Sequence, residues 1–315
     1  MHYIVVDIGS NTVRLVVYEL LENRLIPVFN QKEFLGLLNY IKKGQLTPEG
    51  MERLSSILHQ FSMIGKVFQV EKEYYFATEA LRGISNLQEV LDFIQQNNQV
   101  DIQIIPGKQE AYYEYLGLIY SLKKHPPGLL MGVGGGSTQI TAFEGPHDFL
   151  CSESISIGSL RYYKKHVCGV LPTPKEYHHM LKQANAAITS SLPALDSSFK
   201  TIYVLGGTAR NVAKLYQAVY DIEKSTERMK MDVKKLEQLY PYIQQNKIKG
   251  LKIMSKVSAE RVFTLFPGLA ILLAGARIFG AKKLQLCKYG VREGYLLYTL
   301  WQSGKIPLPS QLCFT

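Results

Sequence analysis

The chain has 315 residues, 46% of them apolar and 20% charged, enough for two domains of ordinary size, each with its own core. It holds no low-complexity tract. Its four cysteines (Cys151, Cys168, Cys287 and Cys313) lack C-x-x-C spacing, and its longest apolar run, Val262 to Ala276, is too short to span a bilayer and contains Pro267-Gly268. A disulfide scaffold, a thiolate metal site and a membrane span are therefore set aside, and a reduced, cytoplasmic setting is expected for a chain that opens directly on a strand. The net charge of +10 points to an anionic partner but does not separate nucleic acid from a polyphosphate.

In chain order, Tyr3 to Val6 reads as an apolar strand, Asp7-Ile8-Gly9-Ser10-Asn11-Thr12 as a turn and Val13 to Val17 as the returning strand. A further strand is expected near Glu19 to Phe29. Thr47 to Val67 predicts a helix opened by Thr47-Pro48-Glu49, with Met51, Leu54, Ile57, Leu58 and Phe61 on one face. The strand Tyr74 to Ala77, the stretch Thr78 to Arg82, a helix near Leu87 to Asn97 and the strand Ile102 to Ile105 then alternate as α/β proteins do. Pro106-Gly107-Lys108-Gln109-Glu110 opens the next helix and puts Glu110 in its first turn. Lys123-Lys124-His125-Pro126-Pro127-Gly128 has the charge and Pro/Gly content of a link between domains 1–125 and 126–315.

The second half begins with Leu129 to Ile140, in which a strand runs into Gly134-Gly135-Gly136, then Ser137 and Thr138, then another strand. A turn so free of side chains lets phosphate approach backbone N–H groups, although a tight hairpin without a ligand has the same composition. Strands continue to about Ile157. A helix follows from about Pro174 to Leu192, then the strand Thr201 to Leu205, and Gly206-Gly207-Thr208 opens a helix as another candidate anion site. Asp221 to Lys256 is expected to be helical and rich in Lys, with a buried helix after it through Phe279. A strand at Leu284 to Cys287, a turn at Lys288 to Gly294 and a helix from about Tyr295 to Trp301 close the chain. His178 and His179 are adjacent and diverge on a helix, so surface roles are expected for them.

The two strand-turn-strand units imply a duplicated fold that holds a phosphate chain between its halves. Neither turn is a better-known phosphate motif: a Walker A loop needs Lys where Gly136 stands, and a dinucleotide fingerprint needs Gly where Ser137 stands.

Eight pieces in order resemble the exopolyphosphatase and guanosine pentaphosphate phosphatase family, Ppx/GppA, within the actin-like ATPase superfamily. They are Asp7 to Arg14; Ala77 to Arg82 with Asn86; Gly107 to Ala111; Gly134 to Thr138; Gly158 to Arg161; Gly206 to Thr208; Arg261; and Gly290 to Gly294. The resemblance implies an α/β chain of two actin-like (ribonuclease H-like) domains, a phosphate-binding cleft between them, and a last helix packing back on the first. It also implies hydrolysis of a terminal phosphoanhydride by water with Mg²⁺, or Mn²⁺ in its place. Glu110 falls on the family's catalytic glutamate, and Arg82 on its phosphate-contacting arginine. Ser10, Asn11 and Arg14 would flank the first phosphate loop; Gly134, Gly135, Gly136, Ser137 and Thr138 would form the second, with Gly207 and Thr208 adding N–H groups. Asp7 would assist catalysis and hold the metal, together with Gln139.

The chain departs from the family where Gly132 stands at an Asp and Gln139 at a Glu, both metal-binding acids. Pro106, Gln109, Phe263 and Phe34 are smaller departures. The leading expectation is a cytoplasmic phosphohydrolase acting on inorganic polyphosphate or guanosine pentaphosphate, with no nucleic acid or membrane partner and a homodimer left open. The second is a binding protein that holds polyphosphate or an alarmone in the same cleft without hydrolysing it; an actin-like sugar kinase or ATPase is the third.

Overall fold

The computed structural model describes residues 1–122, 126–145, 148–193, 198–223 and 225–307. The expected link at Lys123-Lys124-His125, and also Lys224 and Cys313, lie outside the described residues. Two compact units emerge, one of residues 1–110 with 295–307 and one of residues 111–294.

The first unit is built on β1 (His2–Ile8), β2 (Thr12–Leu21), β3 (Arg24–Phe34), the small hairpin β4 (Ile41–Lys42) and β5 (Gln45–Leu46), α1 (Pro48–Phe68), β6 (Lys72–Ala77), the single turn α2 (Glu79–Arg82), α3 (Leu87–Asn98), β7 (Ile102–Ile104) and the start of α4 (Gly107–Ser121). Its sheet has the order β3-β2-β1-β6-β7: three antiparallel strands followed by two parallel additions. The strand expected near Glu19 to Phe29 is instead the end of β2 and most of β3. Glu22 and Asn23 both take left-handed backbone (φ 48° and 63°), making a two-residue hairpin turn whose twist suits the flanking strands. The α1 helix starts as its sequence dictates. The Thr47 hydroxyl accepts the Gly50 N–H at 3.3 Å, and Pro48 opens the first turn. Met51, Leu54, Leu58 and Phe61 are then buried on one face, at about 2 kcal/mol for each large side chain.

The second unit contains β8 (Gly128–Val133), β9 (Thr138–Gly145), β10 (Asp148–Ile155), α5 (Ser159–His166), α6 (Pro174–Ser191), β11 (Thr201–Leu205), α7 (Gly206–Tyr220), β12 (Lys230–Asp232), α8 (Val233–Gln245), α9 (Lys247–Ser258), α10 (Val262–Ile278), β13 (Lys283–Leu286) and the start of α11 (Val291–Gln302). The sheet order β10-β9-β8-β11-β13-β12 repeats the antiparallel triplet and parallel pair of the first unit and adds one antiparallel edge strand. Every residue of α10 from Thr264 to Ala276 is buried, so this helix is the core of its unit. The helical stretch 247–278 contains a window long and apolar enough to cross a membrane, but 67% of that window is buried among its neighbours.

Residues 221–256 are not one helical region. Asp221 ends α7 in the left-handed conformation, β12 pairs with β13, and the Asp232 carboxylate caps α8 by accepting the Lys235 N–H at 3.3 Å. Burial of Met231 holds β12 in place, and three residues between lysines are too few to show alternation. The turn expected at Lys288 to Gly294 is already helical from Val291. Within the second unit, Gly294 and Gly117 let the start of α11 approach α4: a Cβ on Gly294 would strike the Tyr113 carbonyl, and one on Gly117 would come 2.5 Å from the Gly290 carbonyl oxygen.

Candidate functional site

In the first unit the β1–β2 turn is closed by a hydrogen bond from the Gly9 N–H to the Thr12 carbonyl at 3.0 Å. Asp7 and Arg14 stand directly opposite each other in the register of the two strands, and the Arg14 Nε–H donates to the Asn30 side-chain carbonyl at 2.8 Å. The turn is held from behind, because the Asn11 carbonyl accepts the N–H groups of Leu35 (3.2 Å) and Gly36 (2.9 Å), and the Ser10 carbonyl accepts that of Leu38 (3.4 Å). Ser10 and Asn11 are buried. Neither polar atom of the Asn11 amide meets a hydrogen-bond partner among the described residues, an arrangement that suits a side chain awaiting a ligand.

Glu110 lies in the first turn of α4, its N–H bonded to the Pro106 carbonyl at 2.9 Å, and the residue is 7% exposed. Arg82 reaches it from the end of α2, with Nη2 at 2.7 Å from Glu110 Oε2 and 3.4 Å from Glu79 Oε2. Burial pushes the Glu110 carboxyl up to about 7. The Arg82 cation opposes that rise, and the charges of Asp7 and Glu79 add to it. A carboxyl poised near neutrality, shielded from solvent and aimed by a guanidinium, is equipped to accept a proton. The buried Arg82 Nε has no hydrogen-bond partner among the described residues, so the guanidinium still has donor capacity for an anion.

In the second unit the Gly134 N–H bonds to the Ser137 carbonyl at 2.9 Å, the same closure as in the first unit. The α5 helix, which sequence periodicity alone had not revealed, holds this turn from behind. The Gly134 carbonyl accepts the Ser159 N–H (2.9 Å), the Gly135 carbonyl accepts those of Leu160 (2.9 Å) and Arg161 (3.0 Å), and the Gly136 carbonyl accepts Arg161 Nε–H (3.0 Å). A peptide's N–H points opposite to its C=O, so fixing these carbonyls aims the N–H groups of Gly135, Gly136 and Ser137 away from α5, as anion binding requires. The Thr138 hydroxyl is used structurally, donating to the Ile157 carbonyl at 2.7 Å. The Thr208 hydroxyl donates to Ser159 Oγ at 3.2 Å and ties α7 to α5. Gly206 takes φ +91°, which glycine alone adopts readily, and the buried Arg261 guanidinium comes within 3.2 Å of the place a Gly207 Cβ would occupy. The sequence had marked Arg261 only as part of a motif, and its placement beside the first turn of α7 adds a cation there.

Gln139 pairs in register with Gly132, and its amide nitrogen donates to the hydroxyls of Ser137 (2.9 Å) and Ser154 (3.0 Å). Only its side-chain carbonyl oxygen is left to face a cation. Facing Gly132 lies Glu114, a buried acid within the otherwise apolar and aromatic stretch Ala111 to Tyr120 of α4. Its carboxylate occupies the space a side chain on Gly132 would fill. A lone Glu inside an apolar stretch is the signal that could have marked it. Among the described residues no three or more His, Cys, Asp or Glu side chains gather to hold a metal. The Asp7 carboxylate near Glu110 nevertheless fits Mg²⁺, which takes hard oxygen and often uses only one or two protein carboxylates.

Comparison with known proteins agrees with this architecture. A family model described as "Ppx/GppA phosphatase family" matches residues 16–302. Exopolyphosphatase 1 of Mycobacterium tuberculosis is 23% identical over 303 residues, covering 94% of this chain and 87% of that protein. The guanosine-5'-triphosphate,3'-diphosphate pyrophosphatase of Aliivibrio fischeri is 23% identical over 93% of this chain and 58% of its own length. The crystal structure of the Aquifex aeolicus Ppx/GppA family member superposes with a TM-score of 0.79 at 22% identity, covering 96% of this chain and 98% of that one, so the actin-like fold is shared. Since the match spans nearly the whole chain, with the second glycine turn inside it, this protein belongs to the Ppx/GppA phosphatase family.

Proposed function

We propose that the chain is a phosphohydrolase that releases terminal phosphate from inorganic polyphosphate or guanosine pentaphosphate. The observation that carries this reading is Glu110: buried, oriented by Arg82 at 2.7 Å, and with a carboxyl raised to about 7. Its carboxylate accepts a proton from water as the water oxygen bonds to the terminal phosphorus. The phosphoanhydride P–O bond breaks, and the shortened chain leaves with the bridging oxygen. Arg82 and the Asn11 amide are the polar groups of the first unit suited to phosphoryl oxygens, and the backbone N–H groups of Gly135 and Gly136 serve the same purpose in the second. Mg²⁺ held by Asp7 would supply neutralising charge, a contribution of several kcal/mol in such reactions. The two named relatives act on different phosphoanhydrides, so both substrates belong to the proposal.

The test is phosphate release from long-chain polyphosphate and, separately, from guanosine pentaphosphate, with Mg²⁺, with Mn²⁺ or with chelator, for wild type and Glu110→Gln. Metal-dependent release that vanishes in the variant supports the proposal; equal turnover in both proteins removes Glu110 from it. The geometry of Gln139 favours one second reading, a binder without turnover. Its amide is committed to Ser137 and Ser154, and Gly132 offers no side chain. Binding of either substrate to wild type without release would select that reading.

A further inference from the structure

The two glycine turns give the chain an internal ruler. In each, one hydrogen bond joins the N–H of the first glycine to a carbonyl three residues on, from Gly9 to Thr12 and from Gly134 to Ser137. The same offset makes Gly132 the counterpart of Asp7, two residues before that glycine, and Gln139 the counterpart of Arg14. The strand registers agree, since Asp7 pairs with Arg14 and Gly132 with Gln139. The first unit thus carries an acid at the end of its central strand, and the second carries a glycine at the equivalent place.

That place is filled. Measured from an ideal Cβ on Gly132, Glu114 Cδ and Oε1 both lie at 2.6 Å, and Oε2 is closer still. The Glu114 carboxylate therefore fills the space into which a side chain at position 132 would grow. Gly132 is buried in β8 and Glu114 is 6% exposed, so the carboxylate has been desolvated to take this position.

Resting on the phosphohydrolase reading, we infer that Glu114 is the second unit's carboxylate ligand for a divalent cation, delivered from α4 in place of an acid on β8. Gly132 is then an adaptation that admits this carboxylate, and the acid has been relocated. Carboxylate oxygen is the donor that Mg²⁺ and Mn²⁺ prefer, and relocation keeps both charge and donor type. Gly132→Asp in the wild-type background would force two carboxylates into one space. In a Glu114→Ala background the same substitution would have room.

The experiment titrates Mn²⁺ alone into the full-length chain by calorimetry and by the electron paramagnetic resonance signal of free Mn²⁺. It compares wild type, Glu114→Gln, Gly132→Asp and the double variant Glu114→Ala/Gly132→Asp, with a melting curve for each. The expected results are Mn²⁺ affinity about tenfold or more weaker in Glu114→Gln and within about threefold of wild type in the double variant, scaled to the effect of losing a group that tunes a metal site. Gly132→Asp alone should melt lower than the double variant. Unchanged Mn²⁺ affinity in Glu114→Gln overturns the inference, and so does a double variant that folds but binds no better than Glu114→Gln. The phosphohydrolase reading fails separately: if wild type releases no phosphate with any metal while Mn²⁺ affinity still depends on Glu114, that reading falls and the carboxylate assignment stands.

Discussion

The two glycine turns share a backbone and differ in chemistry. Each is closed by one hydrogen bond, follows the first strand of an antiparallel triplet, and is held by N–H groups that come just after the third strand. In the first unit these belong to Leu35, Gly36 and Leu38; in the second, to Ser159, Leu160 and Arg161. Gly36 and Gly158 occupy the same position, each preceding the short helix that holds its turn. What differs is the acids. The first unit places Asp7 and Glu110 near its turn together with Arg14 and Arg82, whereas the second surrounds its own with glycine backbone, hydroxyls, the Arg161 guanidinium and one carboxylate from α4. A duplicated backbone therefore need not carry duplicated roles: on the proposed reading, one copy serves proton transfer and the other holds an anion against backbone dipoles.

The strongest way to test that division is to remove the proton acceptor. Glu110→Gln keeps the shape and the Arg82 contact but takes away the carboxylate. Phosphate release should fall by about 10² to 10⁴, the range for losing a positioned acid or base, while substrate binding measured by calorimetry stays within about threefold. A parallel loss of binding would mean that Glu110 shapes the first turn instead of serving the reaction.

Next in size is the cost of disturbing the supports. A Cβ on Gly158 would come within 2.5 Å of the Gly135 carbonyl carbon and 2.6 Å of that of Gly136, backbone atoms that cannot move without breaking the turn. Gly158→Ala should therefore cost about 3 kcal/mol in chemical denaturation, the upper range for overpacking. Gly36 instead needs left-handed backbone (φ +61°) and faces the movable Asn39 amide, so Gly36→Ala should cost about 1–2 kcal/mol. Equal costs would show that the two supports are not tuned differently.

Much of this was readable from residues alone because the relevant signals are local. Strand, Gly-rich turn and strand, Thr47-Pro48 at a helix start and Gly206 at a strand end each fix a backbone shape with side-chain chemistry that neighbours cannot override. Glu110, Arg82 and Asn11 were singled out by the family resemblance and not by local signals, and the structure adds that Arg82 contacts the buried Glu110. The α5 helix was not legible, since eight residues ending in Lys164, Lys165 and His166 carry little periodicity, and what holds it is the carbonyls of a turn more than twenty residues away. β12 escaped because its pairing with β13 decides it. The Glu114 carboxylate was hidden because its meaning depends on the glycine it faces on another element.

Charge around Glu110 gives the next prediction, on the order of one pH unit. The folded chain raises this carboxyl to about 7 from its ordinary value of 4.5. It therefore holds a proton that the unfolded chain has released between those values, and this group's contribution to stability is complete below about 4.5 and lost as pH rises through 7. As a base it works when ionised, so turnover should climb through pH 7 and level off above it. Asp7→Asn removes a charge that raises the carboxyl, and the titration followed by ¹³C NMR of labelled Glu should move to lower pH. Arg82→Gln removes the opposing cation and should move it higher. An unmoved titration in both variants would show that burial alone governs Glu110, and that the first unit's charges do not act on it.

The smallest effect is expected from giving the second unit an acid on its own sheet. Gln139 is 2% exposed, and its nitrogen donates to Ser137 and Ser154, so Gln139→Glu preserves shape while the two hydroxyls can turn to donate instead. Both bonds survive and become charge-assisted, which offsets much of the cost of burying the new charge. The remaining penalty is repulsion from the Glu114 carboxylate facing Gly132 on the adjacent strand. In chelator the variant should therefore melt a few degrees below wild type, a loss of about 1 kcal/mol. A divalent cation accepted by both carboxylates reverses that penalty by binding the folded state more tightly, so Mg²⁺ should raise the variant's melting temperature more than it raises that of wild type. If Mg²⁺ moves both equally, Gln139 does not face the ion, and the second unit's contribution to it is made from α4 alone.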